Sequence, residues 1–228
     1  MAEYIHLFQT EAEFTSAFTN DYHEPWVSYT NETSSITFNK QVTPGPTYES
    51  VDLGLTSGTL WASCNVGASS PEEYGNYYAW GELSGKSDYS WSTYRFGTSE
   101  NLTKYDADGK TELELEDDVA HAVMGGSWHM PTEAQLKELT ANTTSAWDSA
   151  RSGRTFTSKT NGNSIFIPAA GFYDGTSSYG VGSGCGLWSI GLYPSSHDYA
   201  VYLYFDSGGI GMGSYDRCYG FSVRGVIG

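Results

Sequence analysis

Cations are scarce in this chain, and long apolar runs are missing from it. Of 228 residues only 11 are Lys or Arg, against 27 Asp or Glu, so the formal net charge is −16. Nucleic-acid binding draws its affinity from clustered Lys and Arg, so we expect neither a nucleic acid nor another polyanion as a partner. No apolar run reaches the roughly 18 to 20 residues of a membrane span, and the N-terminus lacks the basic and apolar regions of a signal peptide. The sequence therefore predicts a soluble protein without membrane insertion or signal-peptide export.

Cysteine is equally scarce. Cys64, Cys185 and Cys218 are too few for a disulfide framework, and none has a CxxC or Cys/His spacing suited to zinc. We expect them to be ordinary small residues, with one disulfide bridge or a reactive thiol as the alternative. The acidic run at 112–118 is typical of a solvated surface, although calcium binding is the alternative. The sequence thus names no cofactor and no metal ligand.

The last third of the chain lacks three residue types altogether. Residues 1–159 contain 6 Lys, 15 Glu and 3 Gln, whereas residues 160–228 contain none of them. Buried strands also deplete Lys and Glu, yet the same stretch is rich in Ser, Gly, Asp and Tyr, which suit a solvent-exposed surface. Antibody binding loops use this composition, because Tyr supplies rigid contact area while Ser and Gly adapt. We therefore expect a recognition surface at about 188–224.

The order of predicted elements indicates α+β structure in two parts, the first of which is residues 1–47. A capping-box pattern predicts a short helix at 10–18. Two strand-like runs follow at 26–29 and 36–39, and a segment with Pro and Gly then breaks regular structure. The first part is therefore predicted to be a small helix-plus-hairpin module with a linker.

The second part, residues 48–228, has short predicted strands among Gly, Ser and Pro clusters. Two helical stretches are predicted, at 117–124 and at 131–139, and Thr132 is placed to cap the second. Residues 87–116 show no periodicity and predict a long loop. The first two predicted strands are 60–62 and 77–80.

One later strand can be predicted residue by residue, because the segment before Ser207 alternates. Its two sides are Tyr199, Val201, Leu203 and Phe205, and Ala200, Tyr202, Tyr204 and Asp206. We expect the apolar side to face the core and Tyr202 and Tyr204 to be exposed contact residues. Gly208 and Gly209 then predict a hairpin turn.

Six short segments of the second part resemble the lectin-fold domains of gut bacteria and their phages. They are VDLGL at 51–55, LWASCNVGA at 60–68, EYG at 73–75, YAWGE at 78–82, WHMPTEAQ at 128–135 and GFSVRG at 220–225. The resemblance covers residues 48–228 and implies a C-type-lectin fold with short strands, two helices and long loops. The C-terminus further resembles the variable proteins of diversity-generating retroelements, in which adenine-directed errors of reverse transcription rewrite a short stretch of a gene.

That resemblance accounts for the missing residue types. Replacing the adenines of an Asn codon, AAY, never produces Lys, Glu, Gln, Met or Trp, so Trp188 and Met212 are then fixed scaffold positions. The implied variable, ligand-binding positions are Tyr193, His197, Asp198, Tyr199, Tyr202, Tyr204, Asp206, Gly209, Gly211, Gly213, Tyr215, Asp216, Cys218, Tyr219 and Phe221. Val201 joins them by the same reasoning, and core packing is the alternative for Val201 and Phe221.

The resemblance implies binding without catalysis. The implied partner is a surface receptor, protein or glycan, on a target bacterium. Segments 24–30 and 36–40 resemble a short module of phage structural and tail proteins, so the expected location is the virion, at the phage tail, or a bacterial cell surface. A homotrimer is compatible with a tail tip. A non-varying cell-surface or structural protein of the same fold is the alternative.

An enzyme of the same fold class is a further alternative. Residues 130–134 and the closing GF also resemble formylglycine-generating enzymes, whose copper and oxygen chemistry depends on a close pair of cysteines near the C-terminus. Here only Cys218 lies in that region, with Cys185 well upstream. The calcium motifs of sugar-binding C-type lectins, EPN or QPD followed by WND, are absent. We therefore expect no enzymatic activity and no bound metal.

Overall fold

The computed structural model describes residues 48–106 and 108–228. The chain divides into two units between Gly45 and Pro46, and the helix-plus-hairpin module predicted for residues 1–47 lies outside the described residues. The described part is α+β, because short antiparallel strands predominate and two α-helices accompany them. In this part of the chain, no helix has the length and apolarity that crossing a membrane requires.

The described strands are short and pair with their neighbours in small antiparallel sheets. They are β1 (Ser50–Asp52), β2 (Leu60–Ala62), β3 (Gly97–Thr98), β4 (Asn101–Leu102), β5 (Thr143–Asp148), β6 (Gly153–Ser158), β7 (Ser164–Pro168), β8 (Phe172–Asp174), β9 (Ser177–Tyr179), β10 (Gly184–Leu192), β11 (Tyr199–Asp206), β12 (Ile210–Asp216) and β13 (Val226–Ile227). The three-stranded sheets have the orders β1-β2-β13, β5-β6-β7 and β10-β11-β12, and β3-β4 and β8-β9 are hairpins. Because β13 pairs with β2, the two ends of the described part meet in one sheet.

The two helices begin where their caps predict. Helix α1 (Val119–Met124) follows Asp118, whose carboxylate accepts the backbone N–H of His121 at 3.0 Å. Helix α2 (Glu133–Asn142) follows Thr132, and the reciprocal bonds between Thr132 and Gln135 form the predicted capping box. Both helix predictions are confirmed, with the second helix extending three residues further than expected.

The strand predicted at 77–80 is wrong, because the backbone of this segment changes partner from residue to residue. Tyr78 makes a single bridge with Phe221, whereas the N–H of Trp80 donates to the carbonyl of Arg217 at 2.8 Å. The long loop predicted at 87–116 is confirmed for its described residues, which contain only the 3-10 helix Trp91–Thr93, the first residues of a second such turn, and the β3-β4 hairpin.

The sheet of β10, β11 and β12 lies between two groups of buried side chains. Leu187 and Leu203 pack on one side of it, with Leu136 of α2 and Phe156 of β6. Trp188 packs on the other side in a cluster rich in aromatic rings, and its indole N–H donates to the carbonyl of Tyr78 at 2.9 Å. Both faces of this sheet are therefore packed over part of their area.

A fully buried arginine ties the closing segment to the fold. The guanidinium of Arg224 donates to the side-chain oxygen of Asn65 and to the carbonyls of Ala62 and Phe166, each at 2.9 Å. Burial lowers the pKa of Arg224 to about 10, so the group keeps its charge at neutral pH. Three segments distant in sequence are thereby joined at one side chain.

Candidate ligand-binding face

Strand β11 alternates as its sequence predicts from Val201 onward, whereas Tyr199, on the predicted core side, is half-buried and Ala200, on the other side, is buried. Val201, Leu203 and Phe205 are buried, whereas Tyr204 on the opposite side is 46% exposed. Tyr202 lies on the same side as Tyr204 but is half-buried. The expectation that both tyrosines are exposed is therefore confirmed for Tyr204 and wrong for Tyr202, whose ring packs 4.8 Å from that of Phe221.

A continuous layer of aromatic rings covers this side of the sheet. Its half-buried or exposed members, which we call the aromatic face, are Phe172, Tyr179, Tyr202, Tyr204, Tyr215 and Tyr219. Phe172, Tyr202 and Tyr215 pack against the buried ring of Phe221, which lies 4.4 Å from that of Trp188. Neighbouring rings of the layer lie 4.7 to 6.2 Å apart between centroids, the distance range of favourable aromatic pairs.

Small residues in the sheet make room for the rings. The register places Trp188, Tyr202 and Gly213 in one row across the strands, and Tyr204 opposite Gly211 in the next. A Cβ atom at Gly211 would lie 2.7 Å from Oη of Tyr204, and one at Gly213 would lie 2.8 Å from Cε1 of Tyr202. Neither glycine has a positive φ. Glycine is therefore needed at both positions for space and not for conformation.

The predicted site residues fall into three groups by exposure. The exposed ones are Tyr193, His197, Tyr204 and Asp206; the half-buried ones are Asp198, Tyr199, Tyr202, Gly209, Gly211, Gly213, Tyr215, Asp216 and Tyr219; the buried ones are Cys218 and Phe221. Five of the half-buried and exposed residues, at 202, 204, 211, 213 and 215, come together on the same side of β11 and β12.

Cys218 and Phe221 are corrections to the predicted site, because neither can touch a ligand from where it lies. Cys218 is 1% exposed and Phe221 2% exposed, in the same aromatic core cluster as Trp188. Val201 is buried as well, so core packing is the right interpretation for Val201 and Phe221. Residue type alone does not distinguish core residues from contact residues here, because small and aromatic side chains occur both in cores and at contact surfaces.

Asp206 and Gly209 build the β11-β12 turn at some distance along the strands from the rings. The carboxylate of Asp206 accepts the backbone N–H groups of Gly208 and Gly209 at 2.7 and 2.9 Å, and its own N–H donates to the carbonyl of Gly209. The predicted hairpin turn at 208–209 is therefore confirmed. Asp206 has a clear structural role, which is to fix that turn.

A second buried arginine, Arg217, is hydrogen-bonded to the segment before β11. Arg217 donates to the carbonyls of Lys104, Tyr105 and His197 and to the hydroxyl of Tyr94, at 2.9 to 3.1 Å. Its guanidinium also lies 4.9 Å from the ring centroid of Trp80. Arg217 thus joins the 87–116 loop to the segment that carries His197 and Asp198.

Three functional candidates were missed from the sequence: Phe172, Tyr179 and Trp91. Phe172 and Tyr179 stack on each other across the β8-β9 hairpin, with their ring centroids 5.6 Å apart. The pair Asp174-Gly175 between two alternating runs was the available signal for this hairpin. Trp91 lies in the loop that showed no periodicity, and its indole N–H donates to Asp216 at 3.2 Å. No pattern in the sequence connects these two residues.

Carboxylates lie among the rings at one end of the aromatic face. Asp216 is half-buried and opposes Tyr199 in the β11-β12 register. Burial raises the pKa of the Asp216 carboxyl, and the nearby Asp198 carboxylate raises it further. Burial also raises the pKa of the Tyr219 phenol, which hydrogen-bonds to Asp174. This end of the face therefore combines partly desolvated acids with aromatic surface.

Three acids of the run at 112–118 share one lysine. The ammonium of Lys104 lies 2.5 to 2.8 Å from carboxylate oxygens of Glu114, Glu116 and Asp117, the three acids that are close enough to share a cation. Asp117 is fully buried and also pairs with Arg95 at 3.1 Å, and Asp118 is 3% exposed. The prediction of a solvated acidic run is therefore wrong for Asp117 and Asp118. A lysine of the chain occupies the position that a cation would take.

The three thiols are buried and unpaired in the described part of the chain. Burial raises the pKa of Cys185 and of Cys218 to about 12 in each case, so both are protonated at neutral pH. A protonated thiol is a poor nucleophile and a poor metal ligand. These environments agree with the expectation that the cysteines act as small buried residues.

Comparison with protein-family models, with curated proteins and with solved structures finds no match to this chain. The fold and the aromatic face together define an α+β domain with an aromatic surface on one sheet.

Proposed function

We propose that this protein is a non-catalytic binding protein of the C-type-lectin fold, and that its aromatic face captures a receptor on the surface of a target bacterium. The observation that carries the proposal is the continuous layer of rings at Phe172, Tyr179, Tyr202, Tyr204, Tyr215 and Tyr219. A soluble domain gains nothing by leaving such a layer partly exposed unless another molecule covers it. Tyr also binds with little loss of side-chain entropy, which suits a recognition surface.

We further propose that the face is the hypervariable region of a diversity-generating-retroelement variable protein, carried at a phage tail tip. Lys, Glu and Gln are absent from residues 160–228, and the fold supplies a reason why variation there is tolerated. Leu187, Leu203 and Phe205 hold one side of the sheet in the core, so side chains on the other side can change without loss of that packing. Scaffold and contact residues thus alternate along one strand.

The neighbouring DNA tests the hypervariable origin directly. We expect a reverse-transcriptase gene and a near-copy of the sequence that encodes residues 188–224, with adenines at the codons of the half-buried and exposed positions. At the codons of Cys218 and Phe221, which are buried, the near-copy should not differ from the gene by an adenine. A locus with neither the gene nor the near-copy would overturn the variable-protein proposal.

Binding by the face is tested with the target cells themselves. Fluorescently labelled protein should adhere to a susceptible bacterial strain, and Tyr204→Ala, which removes an exposed ring, should reduce adhesion at least about fivefold. Val123→Ala is the matched control, since Val123 is an apolar residue of α1 that is exposed to a similar extent and lies outside both the aromatic face and the stretch 188–224. Equal adhesion of the two variants would contradict a role for the face.

A non-varying surface protein of the same fold remains a second candidate, and one observation favours it. Tyr202 and Tyr204 fit closely over Gly213 and Gly211, as expected of residues selected together and kept. Sequences of residues 188–224 from clonal isolates separate the two proposals. Identity across this stretch in isolates that differ elsewhere would support the non-varying protein.

A further inference from the structure

Charge on the aromatic face has one sign. After Lys159 the chain has only two cations, Arg217 and Arg224, and both are 0% exposed. The acids of the same stretch are Asp174, Asp198, Asp206 and Asp216, which are exposed or half-buried. Every charge that residues 160–228 present to solvent at neutral pH is therefore negative, apart from any fraction of His197 that is protonated.

Two of these acids lie at one end of the aromatic face. Asp216 accepts the indole N–H of Trp91 at 3.2 Å, and its carbonyl accepts the backbone N–H of Tyr219 at 3.1 Å. Asp198 is hydrogen-bonded by the hydroxyl of Ser196, and its carbonyl accepts the backbone N–H of Arg217, the residue after Asp216, at 2.9 Å. Both acids therefore lie next to the end of β12 that carries Tyr215.

The cations of the described residues are engaged elsewhere. Lys86 pairs with Glu82 at 2.9 Å and lies over the ring of Tyr89. His197 contacts Asp106 at 3.1 Å. Among the described residues, no Lys, Arg or His lies within salt-bridge distance of Asp174, Asp198 or Asp216. The acids at this end of the face therefore have no ion-pair partner in the described part of the chain.

We propose that the occupant of the aromatic face is a basic segment of a partner protein, with an Arg or Lys side chain lying against Tyr215 and Tyr219, whose rings are 4.7 Å apart, and paired with Asp198 and Asp216. Rings and carboxylates together favour this chemistry, because a guanidinium stacks on aromatic surface and bonds to carboxylate oxygens in the same plane. A neutral glycan would stack on the rings and donate hydroxyl hydrogen bonds to the acids, but it would leave their negative charge without a counter-charge. An anionic glycan would be repelled by them. The proposal rests on the proposed function and narrows its partner from protein or glycan to protein.

The test uses three small probes in NMR titrations of the full chain: N-acetyl-arginine amide, N-acetyl-citrulline amide and N,N′-diacetylchitobiose. Citrulline has the shape of arginine without its charge. We expect the arginine amide to shift tyrosine ring resonances and to bind at least about fivefold more tightly than the citrulline amide. The double variant Asp198→Asn/Asp216→Asn should bind the arginine amide at least about fivefold more weakly than the parent protein. Each Asn side chain keeps an oxygen that can accept the hydrogen bond from Ser196 or Trp91.

A control variant with the same loss of charge, and a single-charge variant, accompany the double aspartate variant. Glu49→Gln/Glu133→Gln removes the same charge from β1's flank and from α2, outside the aromatic face, so it should change the arginine-amide affinity less than about twofold. If the double aspartate variant does not fold, Asp198→Asn alone, at a half-buried position, serves as the single-charge variant with an expected loss of about threefold, and an unchanged affinity there also overturns the inference.

Each outcome decides the inference. Equal affinity for the arginine and citrulline amides, or an unchanged affinity in Asp198→Asn/Asp216→Asn, overturns it. Binding of the disaccharide at the same rings without binding of the arginine amide also overturns it, while leaving recognition by the face intact. The DNA and adhesion tests of the proposed function do not involve charge on the probe, so the two proposals fail separately.

Discussion

Tyr202→Ala should mainly lower the stability of the protein, whereas Tyr204→Ala should mainly weaken ligand binding. Tyr202 has ring neighbours on three sides, with centroids 6.0 Å from Trp188, 4.8 Å from Phe221 and 6.2 Å from Tyr215. Tyr204 has one, Tyr202, at 6.0 Å, and is 46% exposed. One side chain therefore belongs mostly to the core and the other mostly to the surface.

The expected magnitudes follow from that packing. Removing a fully buried large aromatic side chain costs about 3–5 kcal/mol, so for the half-buried Tyr202 we expect roughly 2 kcal/mol. In a domain of this size that corresponds to a fall in melting temperature of roughly 4–8 °C. Tyr204→Ala should cost under about 1 kcal/mol and lower the melting temperature by less than about 4 °C.

Thermal unfolding followed by circular dichroism gives the comparison. Tyr202→Phe is the control, because it keeps every ring contact, and it should melt within about 2 °C of the parent protein. Adhesion to target cells should fall for both alanine variants. Equal melting temperatures for the two would refute the assignment of Tyr202 to the packed layer, and a larger fall for Tyr204→Ala would refute the orientation of β11.

Four further substitutions have clear expected results. Gly213→Ala should lower stability by about 1 kcal/mol because the new Cβ meets the ring above it, whereas Gly209→Ala, with open space around it, should be neutral or slightly stabilising by thermal unfolding. Arg224→Lys leaves buried acceptors unmet and should cost about 2–4 kcal/mol, measured by urea unfolding. Hydrogen bonds from Lys104, and secondarily from Lys110, lower the pKa of Glu114 to about 2. The stability that this lowered pKa contributes is fully present above the unfolded-state pKa near 4.5 and is lost as the pH falls towards 2. Lys104→Met should therefore raise the pH at the midpoint of acid unfolding.

Local patterns in the sequence predicted the parts of the fold that depend on neighbouring residues. The capping box at Thr132 and Gln135 specified the start of α2, and the alternation from Val201 to Phe205 specified which of those side chains enter the core, although it did not indicate that Ala200 is buried too. The turn at 208–209 was likewise predictable, because a glycine pair between two strand-like runs is typical of a hairpin. In each case the partners lie within a few residues of one another.

The parts that could not be predicted depend on partners far apart in the chain. Cys218 and Phe221 follow a strand in a stretch that resembles a contact surface, yet both are buried against segments more than a hundred residues upstream, such as the one containing Tyr78. The bond from Trp91 to Asp216 joins residues 125 positions apart. No periodicity records a tertiary contact of this kind, so the sequence predicts only a long loop at 87–116 and does not reveal that this loop contributes to the face.

The close fit between tyrosines and glycines has a consequence for how such a surface would vary. Gly211 and Gly213 lie under the rings of Tyr204 and Tyr202, so any larger side chain at either glycine moves a ring that it does not replace. Four neighbouring positions then act as two coupled pairs. If the proposal of hypervariability is right, changes at 211 and 213 alter the ligand surface through the positions of Tyr204 and Tyr202 as well as through their own atoms. Double-mutant cycles between Gly213→Ala and Tyr202→Ala should then give a coupling energy of about 0.5 kcal/mol or more, because removing the ring removes the clash.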